Sequence, residues 1–207
     1  GGNYKFNEQS QLGLSYTSSL NPDKQQSVTS SDNHSTTFNH APAEEQMHNV
    51  ALNYTSGFGL TGGIDYTYFR NKEEQSFRSI ENNGQETTFL SNTAQYINRW
   101  KVYVDQNHTL SNAWVLNYGT SFTYVNNHNS QRYNLAAMSG MNKESRVDEY
   151  TYNLYTGFEK NFGSQWSLNA SASIEYYQMM SYKKWAIYPT LNLSYVLSPS
   201  HILQFEL

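Results

Sequence analysis

Apolar and polar residues alternate one by one through residues 150–176. In the first half, one parity carries Tyr150, Tyr152, Leu154, Thr156 and Phe158. After a predicted turn at residues 161–165, the second half places Trp166, Leu168, Ala170, Ala172, Ile174 and Tyr176 on one parity. Because side chains alternate across a strand, a period of two predicts an antiparallel hairpin with one apolar face and one polar face.

Aromatic residues mark both ends of the apolar parity. Trp166 and Tyr176 are ten residues apart, and Trp114 and Tyr124 repeat that spacing. A tilted strand needs about 9–11 residues to cross the hydrocarbon of a bilayer. Aromatic side chains at both ends of such a span are typical of the two membrane interfaces. The pattern therefore predicts transmembrane strands.

The same alternation extends over the whole chain and predicts an all-β antiparallel up-and-down meander of about nine strands. Short turns alternate with longer polar segments at residues 21–45, 70–88 and 126–146, and with a shorter polar excursion at residues 178–185. Residues 21–45 form either a long loop or strands that extend beyond the membrane. In a meander, alternate connections lie at the same end, so all short turns share one end, as in transmembrane barrels. A soluble half-buried sheet also keeps charges off its apolar face and remains the alternative.

Composition narrows the functional classes. Hydrophobic residues make up 37% of the 207 residues and charged residues 14%, with a net charge of −4 and no basic cluster, so nucleic acid is not an expected partner. No apolar run approaches the length of a transmembrane helix. The chain has no Cys, which excludes disulfides and thiolate metal sites. Gly1 resembles a scar of tag removal, and we expect residues 1–207 to be a single domain cut from a longer protein.

The sequence offers no defensible enzyme motif. His34, His40 and His48 fall in or beside one polar segment, but their spacing fits no tight ligand set, so no metal or cofactor is expected. No phosphate-binding loop, nucleophile elbow or ordered Ser/His/Asp set is present, so no catalytic residue is assigned and we do not expect an enzyme. Aromatic rings can stack on sugars, and the candidate ligand-binding residues for such a platform are Tyr182, Trp185 and Tyr188.

Several segments of the sequence resemble a known family. The run YPTLNLSYVLSPSHILQFEL, residues 188–207, resembles a recurring segment of outer-membrane β-barrel proteins of Bacteroidetes-type bacteria, which are related to TonB-dependent receptors. EKNFGSQWSLNASASIEYY and YKFNEQSQLGLSYTSSLN are similar to that family's short-turn hairpins. The resemblance implies a Gram-negative cell outer membrane, a barrel of about 22 strands with a plug domain, and transport of nutrients selected by long loops.

These observations together predict a partial outer-membrane β-barrel without a plug, whose partners are membrane lipid and a small nutrient ligand. The alternative is a soluble all-β carbohydrate-binding or adhesive module. A partial barrel leaves open edges, expected near residues 11–20 and 201–207, which favour self-association of the isolated chain. We expect such association to bury five side chains of the apolar face: Leu116, Leu154, Leu168, Ile174 and Leu193.

Overall fold

Ten strands form a single antiparallel sheet in the computed structural model, which describes residues 1–198 and 201–206. Each strand pairs with its neighbours in sequence, so the topology is an uninterrupted meander. The strands are β1 Gly2–Lys5, β2 Gln11–Ser31, β3 Ser35–Thr55, β4 Leu60–Glu81, β5 Glu86–Thr109, β6 Trp114–Tyr133, β7 Lys143–Phe162, β8 Trp166–Met179, β9 Tyr182–Ser198 and β10 His201–Glu206.

Among the residues that the structure describes, helical structure is limited to two short 3-10 segments, Ser111–Ala113 and Ala136–Met141. Within the described ranges, no helix has the length and apolar character needed to cross a membrane.

Both predicted hairpins are confirmed. Leu154 lies opposite Ile174 in the pair of β7 and β8, and Trp100 lies opposite Tyr124 in the pair of β5 and β6. A slip of one residue would move every side chain of a strand to the wrong face, so the alternation of apolar and polar residues fixes this register.

The sheet differs from the sequence prediction in two respects. Gly2–Lys5 forms an additional strand, so the described sheet has ten strands where about nine were predicted. The long polar segments are mostly strand, since β4 continues to Glu81 and β5 starts at Glu86. These extensions carry polar residues on both faces, so the backbone ladder continues where the hydrophobic alternation ends. Of the predicted final hairpin, Pro199, Ser200 and Leu207 lie outside the described residues.

The two ends of the sheet are therefore unequal. At one end, which we call the short-turn end, tight turns join β3 to β4 and β7 to β8. At the other, which we call the extension end, β6 runs nine residues beyond Tyr124 to Tyr133, whereas β8 stops at Met179, three residues beyond Tyr176. The two ends of a membrane barrel are expected to differ in loop length. Here they differ mainly because the strands, and not the loops, are longer at the extension end.

A protein core is absent from the part of the chain that the structure describes, because no hydrophobic side chain there is fully buried. Leu154 is 59% exposed and Ile174 is 42% exposed, although both lie in the middle of the apolar face. A soluble sandwich would cover this face with a second sheet, whereas the described strands all belong to one layer. The apolar face is suited to contact with lipid.

Aromatic rows border the apolar face at both ends. At the extension end, ring centroids are 4.5 Å apart for Tyr66 and Trp100, 5.1 Å for Tyr124 and Tyr150, and 4.8 Å for Tyr176 and Trp185. At the short-turn end, Trp114 packs against Phe162 and Trp166 against Tyr195, at 6.2 Å and 4.4 Å. We call these the upper and lower girdles. Their positions match the two interfaces of a bilayer.

Candidate functional site: the polar face of the sheet

The face opposite the girdles is polar along the whole membrane-spanning part of the sheet. Its charged residues include Asp65 and Lys101, which are direct cross-strand neighbours in β4 and β5. Next to them in the same row are Thr123 and Thr151. In a closed barrel the face opposite lipid lines the lumen, so these side chains form the surface that a solute would meet.

A tyrosine bridges three strands near the middle of this face. The Tyr155 hydroxyl on β7 donates a 2.6 Å hydrogen bond to Oδ1 of Asp105 on β5. Its ring crosses Gly119 of the intervening strand, where an added Cβ would lie 2.8 Å from ring atom Cε1. Only glycine leaves room for this crossing, so the residue at position 119 determines whether the bridge forms.

A second bridge repeats the arrangement closer to the first strands. The Tyr103 hydroxyl on β5 donates a 2.7 Å hydrogen bond to Oδ1 of Asn53 on β3. The intervening residue is again a glycine, Gly63, where a Cβ would lie 2.8 Å from the Tyr103 hydroxyl. Lys101 places its ammonium 5.4 Å from the centre of the Tyr103 ring. Each bridge holds a tyrosine side chain over the glycine of the neighbouring strand, so both rings have a fixed position on the polar face.

Amide side chains continue the polar surface towards the short-turn end. Asn107 donates to Asn117 at 2.7 Å, and Asn117 donates to Glu159 at 2.9 Å. A cavity of about 390 Å³ follows, and its lining includes Glu159, Asn169 and Asn192. This end of the face offers hydrogen-bonding groups together with both signs of charge, because Lys160 also lines the cavity.

An aromatic cluster lies on the same face within the extension. The Phe77 and Phe89 rings stack at 4.7 Å, and Tyr133 lies 6.2 Å from Phe89. Ser91 beside them is 2% exposed, and its Oγ has no hydrogen-bond partner among the described residues. The cluster lies above the level of the upper girdle and combines aromatic ring surfaces with the unpaired hydroxyl of Ser91.

The three candidate ligand-binding residues do not form one platform. Trp185 packs on Tyr176 and lies on the apolar face as part of the upper girdle. Tyr182 lies 6.2 Å from Tyr177 on the polar face, where Tyr188 also falls, opposite Ser173. Position 185 is three residues from both 182 and 188, and an odd spacing in a strand reverses the face. The expected joint platform is therefore corrected to two tyrosines on one face and a girdle tryptophan on the other.

The histidines considered for a metal are held apart by strand pairing. His40 is bonded to Ser27 at 2.8 Å and His48 to the Tyr16 hydroxyl at 2.8 Å. Across residues 1–198 and 201–206, no three His, Cys, Asp or Glu side chains converge in a way that could hold a metal ion.

Charged groups at the tips of the extension stabilise the connections. At the β2–β3 tip, Asp32 accepts hydrogen bonds from the backbone N–H groups of His34 and Ser35, which lower the pKa of its carboxyl. At the β4–β5 tip, Arg78 donates two hydrogen bonds to Glu86 and lowers the pKa of that carboxyl.

The sequence prediction missed the two glycine crossings. Their signal was present, because Gly63 and Gly119 interrupt alternating strands at positions with no turn. Each glycine lies directly opposite its tyrosine on the neighbouring strand, but the acceptor of the hydroxyl lies two strands from the tyrosine, a relationship that sequence spacing alone does not reveal.

Comparison with known proteins relates the fold to outer-membrane receptors. The ferripyoverdine receptor of the outer membrane of Pseudomonas aeruginosa, bound to ferripyoverdine, superimposes with a TM-score of 0.52 and 9% identity over 95% of this chain and 37% of that one. The complex of the receptor FpvAI with pyocin S2 gives a TM-score of 0.54, 10% identity, and coverage of 95% and 34%. The β domain of the Bordetella autotransporter BrkA superimposes more loosely, with a TM-score of 0.42, 10% identity, and coverage of 94% and 82%.

No protein-family model and no curated protein matches the sequence. The chain spans little more than a third of the length of the two receptors. Together with the girdled apolar face and the polar face opposite it, the shared fold identifies this chain as an antiparallel segment of an outer-membrane β-barrel.

Proposed function

We propose that this chain forms part of the barrel wall of a TonB-dependent-type receptor that takes up a small nutrient. The observation that carries the proposal is the continuous polar face, which runs from the short-turn end to the tips of the extension opposite a girdled apolar face. A ligand captured at the extension would then pass along this face. The resemblance of residues 188–207 to barrels of Bacteroidetes-type bacteria supports the same assignment.

The remainder of the barrel is supplied in this proposal by further strands of the native polypeptide. The described strands do not close on themselves, because β1 and β10 each pair with one neighbour only. Coverage of about a third of each receptor is consistent with this arrangement. The chain's role is binding and passage, with no chemical step assigned to its residues.

Uptake measurements in the native bacterium test the proposal. Cells with and without the gene are supplied with radiolabelled ferric siderophores, vitamin B12 and oligosaccharides, with and without a protonophore. We expect uptake of one of these nutrients to require both the gene and the proton gradient. Gene-dependent flux that ignores the protonophore would instead indicate a passive pore, and unchanged uptake of the whole panel would remove the assignment to nutrient transport.

A further inference from the structure

The height of the sheet at the extension end falls in steps along the chain. At the step between β5 and β6, strand pairing begins at Ser91 and Tyr133. The side chain of Asn134 continues the ladder there, because its Oδ1 accepts a 2.7 Å hydrogen bond from the backbone N–H of Leu90. The backbone N–H of Asn134 in turn donates to the Leu90 carbonyl at 3.1 Å. The corner of this step is therefore capped.

The step between β7 and β8 has no such cap. Pairing of β7 with β6 continues to Lys143, whereas pairing of β7 with β8 begins only at Glu149 and Met179. Residues 143–148, which we call the open edge, thus have a partner strand on one side only. Within the described residues, no hydrogen bond reaches the backbone of the open edge from the β8 side. The open edge does not depend on how the barrel closes, because the hairpin of β8 and β9 turns back below it.

The open edge has the dimensions of a short β-strand. At about 3.3 Å per residue it is roughly 17 Å long. With a strand tilt near 45°, Asp148 and Lys143 lie roughly 5 Å and 16 Å above Tyr150 in the upper girdle. Its register with β6 has no shift and its sequence has no proline, so it lacks two features that commonly protect an exposed edge. An extended polypeptide segment of about six residues can pair with it.

Exposed methionines lie at both ends of the open edge. Met141 precedes it by two residues, and Met180 forms the tip of the hairpin of β8 and β9. Both side chains are mostly exposed. Met180 has a φ of 53°, a left-handed conformation that is uncommon for residues other than glycine. Because methionine is flexible and polarizable, it is common on surfaces that accept varied polypeptide partners. These two side chains offer apolar contacts to the ends of an added strand.

The charges around the open edge favour an acidic partner. Three carboxylates lie along or beside it and all are bonded to neighbouring strands: Glu144 to His128 and Arg132, Asp148 to Tyr124 and Asn126, and Glu149 to Tyr177. Three cations near it have no ion pair in the part of the chain that the structure describes: Lys143, Arg146 and Lys183. The groups left to meet a partner are therefore the cations.

We propose that the open edge binds an extended, acidic segment of a partner protein at the cell surface, which adds a strand to the sheet beside β7. Backbone groups supply the pairing, and the three cations select carboxylate side chains. A second copy of this chain in the same membrane does not fit. Antiparallel pairing of two open edges inverts one copy, and a two-fold axis along the membrane normal makes the two tilted strands cross. The proposal does not depend on which nutrient the barrel carries.

The test uses the native full-length polypeptide in detergent micelles and fluorescent eight-residue peptides in which threonine or valine alternates with glutamate. Two further forms of the peptide carry N-methyl groups on every second backbone nitrogen, one form for each parity. Methylation of the parity that faces β7 should weaken binding roughly a hundredfold, because those nitrogens can no longer donate, whereas methylation of the other parity should have little effect. Equal losses in the two forms, or no binding at millimolar peptide, would overturn the proposal.

Hydrogen–deuterium exchange followed by mass spectrometry locates the bound peptide. The amides of residues 143–148 that do not pair with β6 should exchange quickly in the free protein and slowly in the complex. If these amides are protected before the peptide is added, another segment of the native polypeptide covers the edge. If the peptide protects only other residues, it binds elsewhere. Either result would overturn the proposal.

Charge reversal tests the selection of acidic side chains. Lys143→Glu combined with Arg146→Glu should weaken binding of the glutamate peptide roughly tenfold, the size expected for two exposed ion pairs, and should strengthen binding of a matched lysine peptide. The control, Lys24→Glu combined with Lys72→Glu, makes the same charge change on β2 and β4 and should leave both affinities unchanged. Equal effects of the two double variants would contradict the proposal. If the first variant does not fold, the methylation and exchange results on the unaltered protein decide.

Discussion

The Tyr155 hydroxyl on β7 donates a hydrogen bond to Asp105 on β5, and its side chain crosses β6 at Gly119, which has no side chain to block it. Tyr103 and Asn53 repeat this relationship over Gly63. A sheet without a protein core has few interactions between non-adjacent strands. These two bridges therefore link strands that the backbone ladder alone does not connect.

Gly119→Ala should destabilise the membrane-inserted protein. The added Cβ collides with the Tyr155 ring and displaces its hydroxyl from a charged acceptor, which together cost about 1–3 kcal/mol in the free energy of unfolding. Urea unfolding in lipid vesicles measures the change. Gly140→Ala is the matched control, because a Cβ there meets nothing within 4 Å. In a Tyr155→Ala background, which lacks both the ring and the hydroxyl, the penalty should shrink, and an unchanged penalty would show that the bridge is not its source.

Leu154→Arg should be costly because Leu154 lies midway between the two girdles on the apolar face. A cation at that depth costs about 2–4 kcal/mol, whereas one near the interface costs about 0–1 kcal/mol. Leu168 shares its cross-strand row with Lys160, at the level of Trp114, so Leu168→Arg should be milder. Ser171→Arg on the polar face is the control. The refolding yield of each variant into lipid vesicles is measured. Equal yields for Leu154→Arg and Ser171→Arg would argue against contact between the apolar face and lipid.

The β2–β3 tip should loosen in acid. The pKa of Asp32 is lowered by hydrogen bonds from the backbone N–H groups of His34 and Ser35, so the ionised carboxylate is the form that the folded tip favours. Its contribution is present above the ordinary value of 3.8 and is lost as the pH falls through the lowered pKa. Amide proton shifts of His34 and Ser35, followed by NMR, should titrate below that value. Asp32→Asn should abolish the titration, and a midpoint above 3.8 would contradict the assignment.

The isolated chain should associate in plain buffer. Its apolar face exposes large side chains such as Leu154 and Ile174, and the edge strands β1 and β10 each have a partner strand on one side only. Light scattering should report oligomers, with Leu116, Leu154, Leu168, Ile174 and Leu193 protected from solvent. A dispersed monomer that exposes these five side chains would contradict this expectation.

The membrane-spanning part of the fold was predictable because each face meets a different environment. Lipid on one side and polar side chains on the other impose the strict alternation seen from Tyr150 to Tyr176, and that alternation determines both strand and register. Above the girdle both faces meet polar surroundings, so residues such as those of the β6 extension beyond Tyr124 lost the pattern while keeping the backbone ladder. Strand propensity without periodicity was interpreted as loop.

The candidate site was less predictable for a geometric reason. Tyr182, Trp185 and Tyr188 are close in sequence, yet the parity of position 185 separates its ring from the other two. Conversely, Tyr155 and Asp105 are fifty residues apart and meet only because three strands lie side by side. Clustering along the sequence therefore misled the prediction, while each of the two tyrosine bridges on the polar face joins residues that are fifty positions apart.

The central claim, that one face of the sheet contacts lipid and the other contacts water, is tested most directly by spin labelling. The sequence contains no Cys, so single cysteines at positions 151–154 of β7 each carry a unique label. In the protein reconstituted into vesicles, we measure collision rates with oxygen, which concentrates in lipid, and with a water-soluble nickel complex. Labels at 152 and 154 should favour oxygen, and labels at 151 and 153 should favour nickel. Equal accessibility of all four positions to the nickel complex would contradict the account.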